Sequence, residues 1–161
     1  MPVRIVASSA SAFMCATIRT SPLAASTASF TDADGRPLTL ADFEGKGVVV
    51  NLWATWCGPC VREMPSLNRL QKQVEDQGIA VVAVSSDRGG RDIVEAFMTK
   101  YELDALETYL DPKGAFTQSL EGRGLPRTYI LNPAGDVTAS YIGPAEWDEP
   151  EMVEAVRELA R

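Results

Sequence analysis

Val48-Val49-Val50-Asn51-Leu52-Trp53-Ala54-Thr55-Trp56-Cys57-Gly58-Pro59-Cys60 is the stretch that decides the fold of this chain. Its first six residues form a short apolar run rich in β-branched side chains, which predicts a buried central strand. Pro59 suits the first turn of a helix, where its missing N–H costs nothing, and Val61, Met64, Leu67, Leu70 and Val74 then recur at helical spacing. Pro65 is expected to kink that helix. Gly78 ends it, and Ile79 to Val84 reads as a second buried strand, so strand, helix and strand make a parallel crossover unit of an α/β domain.

Outward from this unit the pattern is weaker but continuous. Phe30-Thr31 and Arg36 to Leu40 flank the turn Asp32-Ala33-Asp34-Gly35 and predict a small hairpin capping the main sheet. Asp92 to Tyr101 predicts a helix with Ile93, Phe97 and Tyr101 along its inner face. Thr108 to Leu110 predicts a short strand and Gly114 to Leu120 a short helix. Thr128 to Leu131 and Val137 to Ile142 flank Asn132-Pro133-Ala134-Gly135 and predict an antiparallel hairpin. A terminal helix from about Pro150 would turn Met152, Val156 and Leu159 to the core and leave Asp148, Glu149, Glu151, Glu154 and Glu158 as a solvated face.

The chemistry is narrowed first by what the composition excludes. Histidine is absent, which removes imidazole bases and every metal site that needs a His ligand. Three cysteines cannot form a four-Cys zinc site, so no metal is expected. The net charge of -7 argues against nucleic acid or anionic lipid as a partner. Residues 1–28 are rich in Ser, Ala and Thr, with Arg4 and Arg19 as isolated charges, and read as a secretory leader cleaved after Ala28, an anchor remnant or a disordered tail. The remaining residues, 29–161, are read as one domain without repeats.

Cys57 and Cys60 carry the candidate activity. Cysteine attacks as the thiolate, and the N-terminus of a helix stabilises that anion through partial positive charge and free N–H groups. Cys60 lies one turn on, within reach of a mixed disulfide on Cys57. Gly58 lets a substrate backbone approach, and Pro59 stiffens the turn. A metal clip, a pair of inert thiols or a permanent structural disulfide would use the same spacing, but the junction between strand and helix is the redox context.

Trp53-Ala54-Thr55-Trp56-Cys57-Gly58-Pro59-Cys60 after a buried strand resembles the active site of thioredoxin-fold proteins, and Gly124-Leu125-Pro126 before the last hairpin resembles their cis-proline loop. From about Phe30 to Arg161 the chain is similar to the TlpA, ResA and DsbE-like thiol-disulfide reductases, on Asp34-Gly35-Arg36-Pro37-Leu38, on Cys60-Val61-Arg62-Glu63-Met64-Pro65, on a longer stretch before Pro126, and on the TlpA-like Gly143-Pro144-Ala145-Glu146-Trp147. The resemblance implies a thioredoxin fold: a mixed central sheet flanked by helices, with an N-terminal β-hairpin and a central insertion. It implies reduction of protein disulfides, outside the cytoplasm and for cytochrome maturation, with Cys57 attacking and Cys60 resolving, and a redox-active disulfide in place of a cofactor. An upstream thiol electron donor is implied, with a membrane-anchored one compatible.

Other site residues follow from the same resemblance. Thioredoxin has a buried Asp where this chain has Asn51, so Glu63 is the substitute expected to move protons between the thiols; the alternative is a solvated charge paired with Arg62 or Arg69. Leu125 would offer its backbone to an extended substrate beside Pro126. Arg127 stands where the family usually has Thr, and would bear on substrate preference or stabilise the thiolate. Of Trp53, Trp56 and Trp147, Trp56 is expected at the surface and Trp53 in the core. A cytosolic thioredoxin-like reductase remains the alternative, as does a holder of thiols or copper without turnover, although copper delivery usually uses a His.

Overall fold

The computed structural model describes residues 27–120 and 124–161. The leader expected over 1–28, with Cys15, therefore lies almost wholly outside the described residues. A seven-stranded sheet has β1 at Phe30–Asp32, β2 at Pro37–Leu38, β3 at Gly47–Trp53, β4 at Ile79–Ser85, β5 at Tyr109–Leu110, β6 at Arg127–Leu131 and β7 at Val137–Ile142. Helices follow as α1 (Gly58–Val74), α2 (Arg91–Lys100), α3 (Ala115–Ser119) and α4 (Pro150–Leu159). The strand order is β2-β1-β5-β4-β3-β6-β7. β3 runs parallel to β4 and antiparallel to β6, so the strand that leads into the cysteines is the centre of a mixed sheet.

Alternation along the strands builds two cores. Val49, Val81 and Ile130 join Met64, Leu67 and Leu70 of α1, Phe97 of α2 and Val156 of α4 on one face. Val50, Leu52, Val82, Val84 and Tyr129 join Phe30, Leu40 and Phe116 on the other. All seven residues of β3 are buried, as a near-continuous apolar run in a covered sheet requires. Gly47 starts this strand where a Cβ would collide with the backbone carbonyl and Cβ of Ala160, so the end of α4 rests directly on β3.

The N-terminal hairpin does more than cap. Its β1 pairs with β5 and extends the sheet, with Asp32 Oδ1 accepting from the N–H groups of Asp34 and Arg36 to shape the turn. Helix α1 continues through Pro65 to Val74. Two helix faces differ from expectation. In α2, Val94, Phe97 and Met98 are buried while Ile93 and Tyr101 are exposed, because the helix packs by the i, i+3, i+4 stripe and not by the i, i+4, i+8 row. In α4, Val153 joins Val156 in the core and Met152 and Leu159 are only partly buried. The insertion between β4 and β6 consists of α2, β5 and α3.

Candidate active site

β3 ends at Trp53 and α1 begins at Gly58, so the chain reverses within four residues and delivers Cys57 as the N-cap of α1. Cys57 N–H donates to the Ala54 carbonyl at 3.2 Å, closing the turn. Pro59 occupies the first turn of the helix, where no N–H is needed. Cys57 and Cys60 are joined in a disulfide with their Cα atoms 5.2 Å apart. The Cys57 sulfur also accepts from the Cys60 N–H at 3.3 Å, one of the orphan amides of the helix start.

The two cysteines are not equivalent. Cys57 is 7% exposed and Cys60 is 0% exposed, so Cys57 is the more accessible of the two. Beside it, Trp56 is 70% exposed, an unusual position for a large aromatic ring. Gly58 is exposed, and a Cβ there would lie 3.6 Å from Arg62 Nη1, which places a guanidinium over the same turn. The Leu125-Pro126 peptide bond is cis, and Arg127 opens β6 in register with Leu52 and Ile142. Trp53 is fully buried against Phe97, with ring centroids 5.1 Å apart.

Glu63, one turn beyond Cys60, is 1% exposed and held by three donors. Asn51 Nδ2 donates to Glu63 Oε1 at 2.9 Å, while Ala145 N–H and Trp147 Nε1–H donate to Oε2 at 3.1 and 3.0 Å. Asn51 Nδ2 also donates to Thr128 Oγ1 at 3.0 Å. Neither Arg62 nor Arg69 pairs with it among the described contacts; Arg69 instead meets Asp148 at 2.6 Å on the surface. Burial pushes the Glu63 carboxyl above the ordinary glutamate range, against the three donors that favour its charge, and the neighbouring Glu146 adds to the upward push. The result is a carboxyl with raised proton affinity buried within a helical turn of the inner thiol.

Ser66 and Asp87 were not singled out from sequence, and Trp147 only as part of the TlpA-like segment and not as a donor. Trp147 is a donor as well as a core ring, and Ser66 accepts from its backbone N–H at 3.1 Å while donating to the Glu63 carbonyl at 2.7 Å. Asp87, just after β4, is 3% exposed and binds Thr55. Its signal lay in Ser85-Ser86-Asp87 at the carboxyl end of a buried strand, the edge on which α/β folds gather their sites. A cleft of about 640 Å³ between the N-terminal hairpin and the start of β4 has neither cysteine in its lining. Among the described residues no group of three or more His, Cys, Asp or Glu could hold a metal, and no helix is long and apolar enough to cross a membrane.

A mixed sheet with a disulfide at the N-terminus of its central helix and a cis-proline before the last hairpin defines a thioredoxin-fold disulfide protein. The profile of the Redoxin family matches residues 20–156, and the chain belongs to that family. It is 34% identical over 120 residues to the thiol-disulfide oxidoreductase ResA of Oceanobacillus iheyensis, covering 74% of this chain and 62% of that one. The ResA of Halalkalibacterium halodurans is 33% identical over 131 residues, covering 81% and 71%. The crystal structure of a DsbE-type thiol:disulfide interchange protein from Chlorobium tepidum superposes with a TM-score of 0.68 at 26% identity, covering 82% of this chain and 89% of that one. The chain thus spans less than two thirds of the length of the first of these relatives.

Proposed function

We propose that the protein is a ResA-like thiol-disulfide oxidoreductase that reduces disulfides of protein substrates. The observation that carries this reading is the asymmetry of the pair: a slightly exposed Cys57 capping α1 and a fully buried Cys60 one turn behind it. In the reduced state the Cys57 thiolate attacks a substrate disulfide, forming a mixed disulfide and releasing one substrate thiolate. Cys60, losing its proton, attacks the Cys57 sulfur, which re-forms the intramolecular disulfide and releases the second substrate thiolate. Two electrons pass to the substrate, and an upstream thiol donor restores the dithiol.

Glu63 takes the proton that Cys60 must lose, for which its raised proton affinity suits it. Trp56 and the backbone at Leu125, beside Pro126, form the contact surface for an extended substrate segment, with Gly58, Pro59 and Arg127 bordering it. The exposed ring of Trp56 beside Cys57 suits contact with a protein substrate. Likeness to ResA and DsbE-type proteins supports a role outside the cytoplasm in cytochrome maturation.

Direction is tested by the reduction potential, measured by equilibrating the protein with defined thiol and disulfide buffers and quantifying free thiols. A reductase is expected near ~-270 mV. A value near ~-120 mV would make the protein an oxidant and reverse the proposed direction.

A further inference from the structure

We propose that Asp87 is a positioning residue for Cys57, acting through Thr55 to fix the turn that presents the attacking sulfur. This rests on the reading of Cys57 as the nucleophile. Asp87 belongs to the loop after β4, yet its carboxylate is spent on the loop after β3. Thr55 N–H donates to Asp87 Oδ2 at 2.8 Å and Thr55 Oγ1–H to Oδ1 at 2.6 Å, a two-point grip on the residue two before Cys57. Ser85 Oγ donates to Oδ2 at 2.7 Å and accepts from the Asp87 N–H at 3.0 Å, which fixes the carboxylate itself. Ser86 N–H donates to the Trp53 carbonyl at 3.0 Å, so the two loops also meet through their backbones.

A buried carboxylate is costly unless every lone pair direction finds a donor, and here two of the three side-chain acceptor bonds are made to one residue of the active-site turn. Removing Asp87 leaves the Thr55 N–H without its acceptor in a partly buried site, and the backbone bonds that remain, Cys57 N–H to Ala54, Ser86 N–H to Trp53 and Val61 N–H to Cys57, hold the ends of the turn but not Thr55 at its middle. The Cys57 sulfur then samples positions away from the helix amides that stabilise its thiolate. Charge is not the agent. In Asp87→Asn the new amide can donate to Thr55 Oγ1, which as a hydroxyl also accepts, while its oxygen takes the Thr55 N–H and the Ser85 hydroxyl. The clamp therefore survives with its charge removed.

The test is the rate at which the reduced full chain is alkylated at Cys57 by iodoacetamide, with Cys57 and Cys60 distinguished by peptide mapping and folding followed by thermal unfolding. Asp87→Ala is expected to slow Cys57 alkylation about tenfold and Asp87→Asn to stay within about twofold of the unmodified protein. Thr55→Val, which keeps the backbone bond and loses the hydroxyl, is expected to slow it about threefold and serves if Asp87→Ala does not fold. An unchanged rate in a folded Asp87→Ala or Thr55→Val protein would overturn the assignment, as would an Asp87→Asn protein as slow as Asp87→Ala. Faster alkylation of Cys60 than Cys57 in the unmodified protein would overturn the nucleophile assignment itself, and this inference with it.

Discussion

Replacing Cys57 by Ser is expected to lower the rate of disulfide reduction by at least ~10³-fold, because a serine hydroxyl at this position has no base to activate it and forms no disulfide. Cys60→Ser is expected to fail differently. Cys57 still caps α1 and still attacks, but the mixed disulfide has no resolving thiol behind it. One substrate equivalent per chain should accumulate on Cys57, visible as a mass increase that a reductant reverses. Cys60 is fully buried and cannot take over the first step in Cys57→Ser. If Cys57→Ser traps substrate and Cys60→Ser does not, the order of the two thiols is reversed.

The second large effect is expected at Glu63. Glu63→Ala strands the donors of Asn51, Ala145 and Trp147 in a buried site, at about 1–3 kcal/mol for each one left unsatisfied. Glu63→Gln is milder. An amide can point its oxygen at Ala145 and Trp147 and its N–H at Asn51, provided the Asn51 amide turns over. Asn51 Oδ1 has no partner among the described residues, so turning it exchanges an orphan acceptor for an orphan donor and costs about 1–3 kcal/mol in all. The resolving step should nevertheless slow ~10²-fold, since the amide cannot accept the Cys60 proton.

The same substitution alters the dependence of stability on pH. Glu63 binds its proton more tightly in the folded protein than in the unfolded chain. Its contribution is therefore most favourable below the ordinary glutamate pKa and is lost as pH rises through the higher folded value. Denaturant midpoints measured across mildly acidic pH should fall with pH in the native protein relative to Glu63→Gln, in which this component is absent. A difference between the two proteins that grows in the opposite direction would mean that the three donors outweigh burial.

Most of the fold was legible because the decisive signals are local. A β-branched run, a proline at a helix start and apolar residues at helical spacing lie next to one another from Val48 to Val74, and the structure places β3 and α1 there. Errors came where a helix face depends on its neighbours: Ile93, Phe97 and Tyr101 share a row in sequence, but the sheet takes the stripe through Val94, Phe97 and Met98. The cysteine pair was equally legible, since motif and helix start coincide. Surroundings of Glu63 were not, because its donors are distant in the chain: Asn51 comes from β3, and Ala145 and Trp147 from the loop between β7 and α4. The role of Asp87 is not legible for the same reason, since it lies 32 residues from Thr55 in the chain.

The most direct measurement of the central claim is reduction of insulin disulfides by the full chain in the presence of dithiothreitol. The account predicts many disulfides reduced per chain, at a rate well above dithiothreitol alone, with the gain removed in Cys57→Ser. Consumption of one equivalent followed by arrest, or a rate equal to dithiothreitol alone, would contradict it and leave Cys57 and Cys60 as a binding or structural pair.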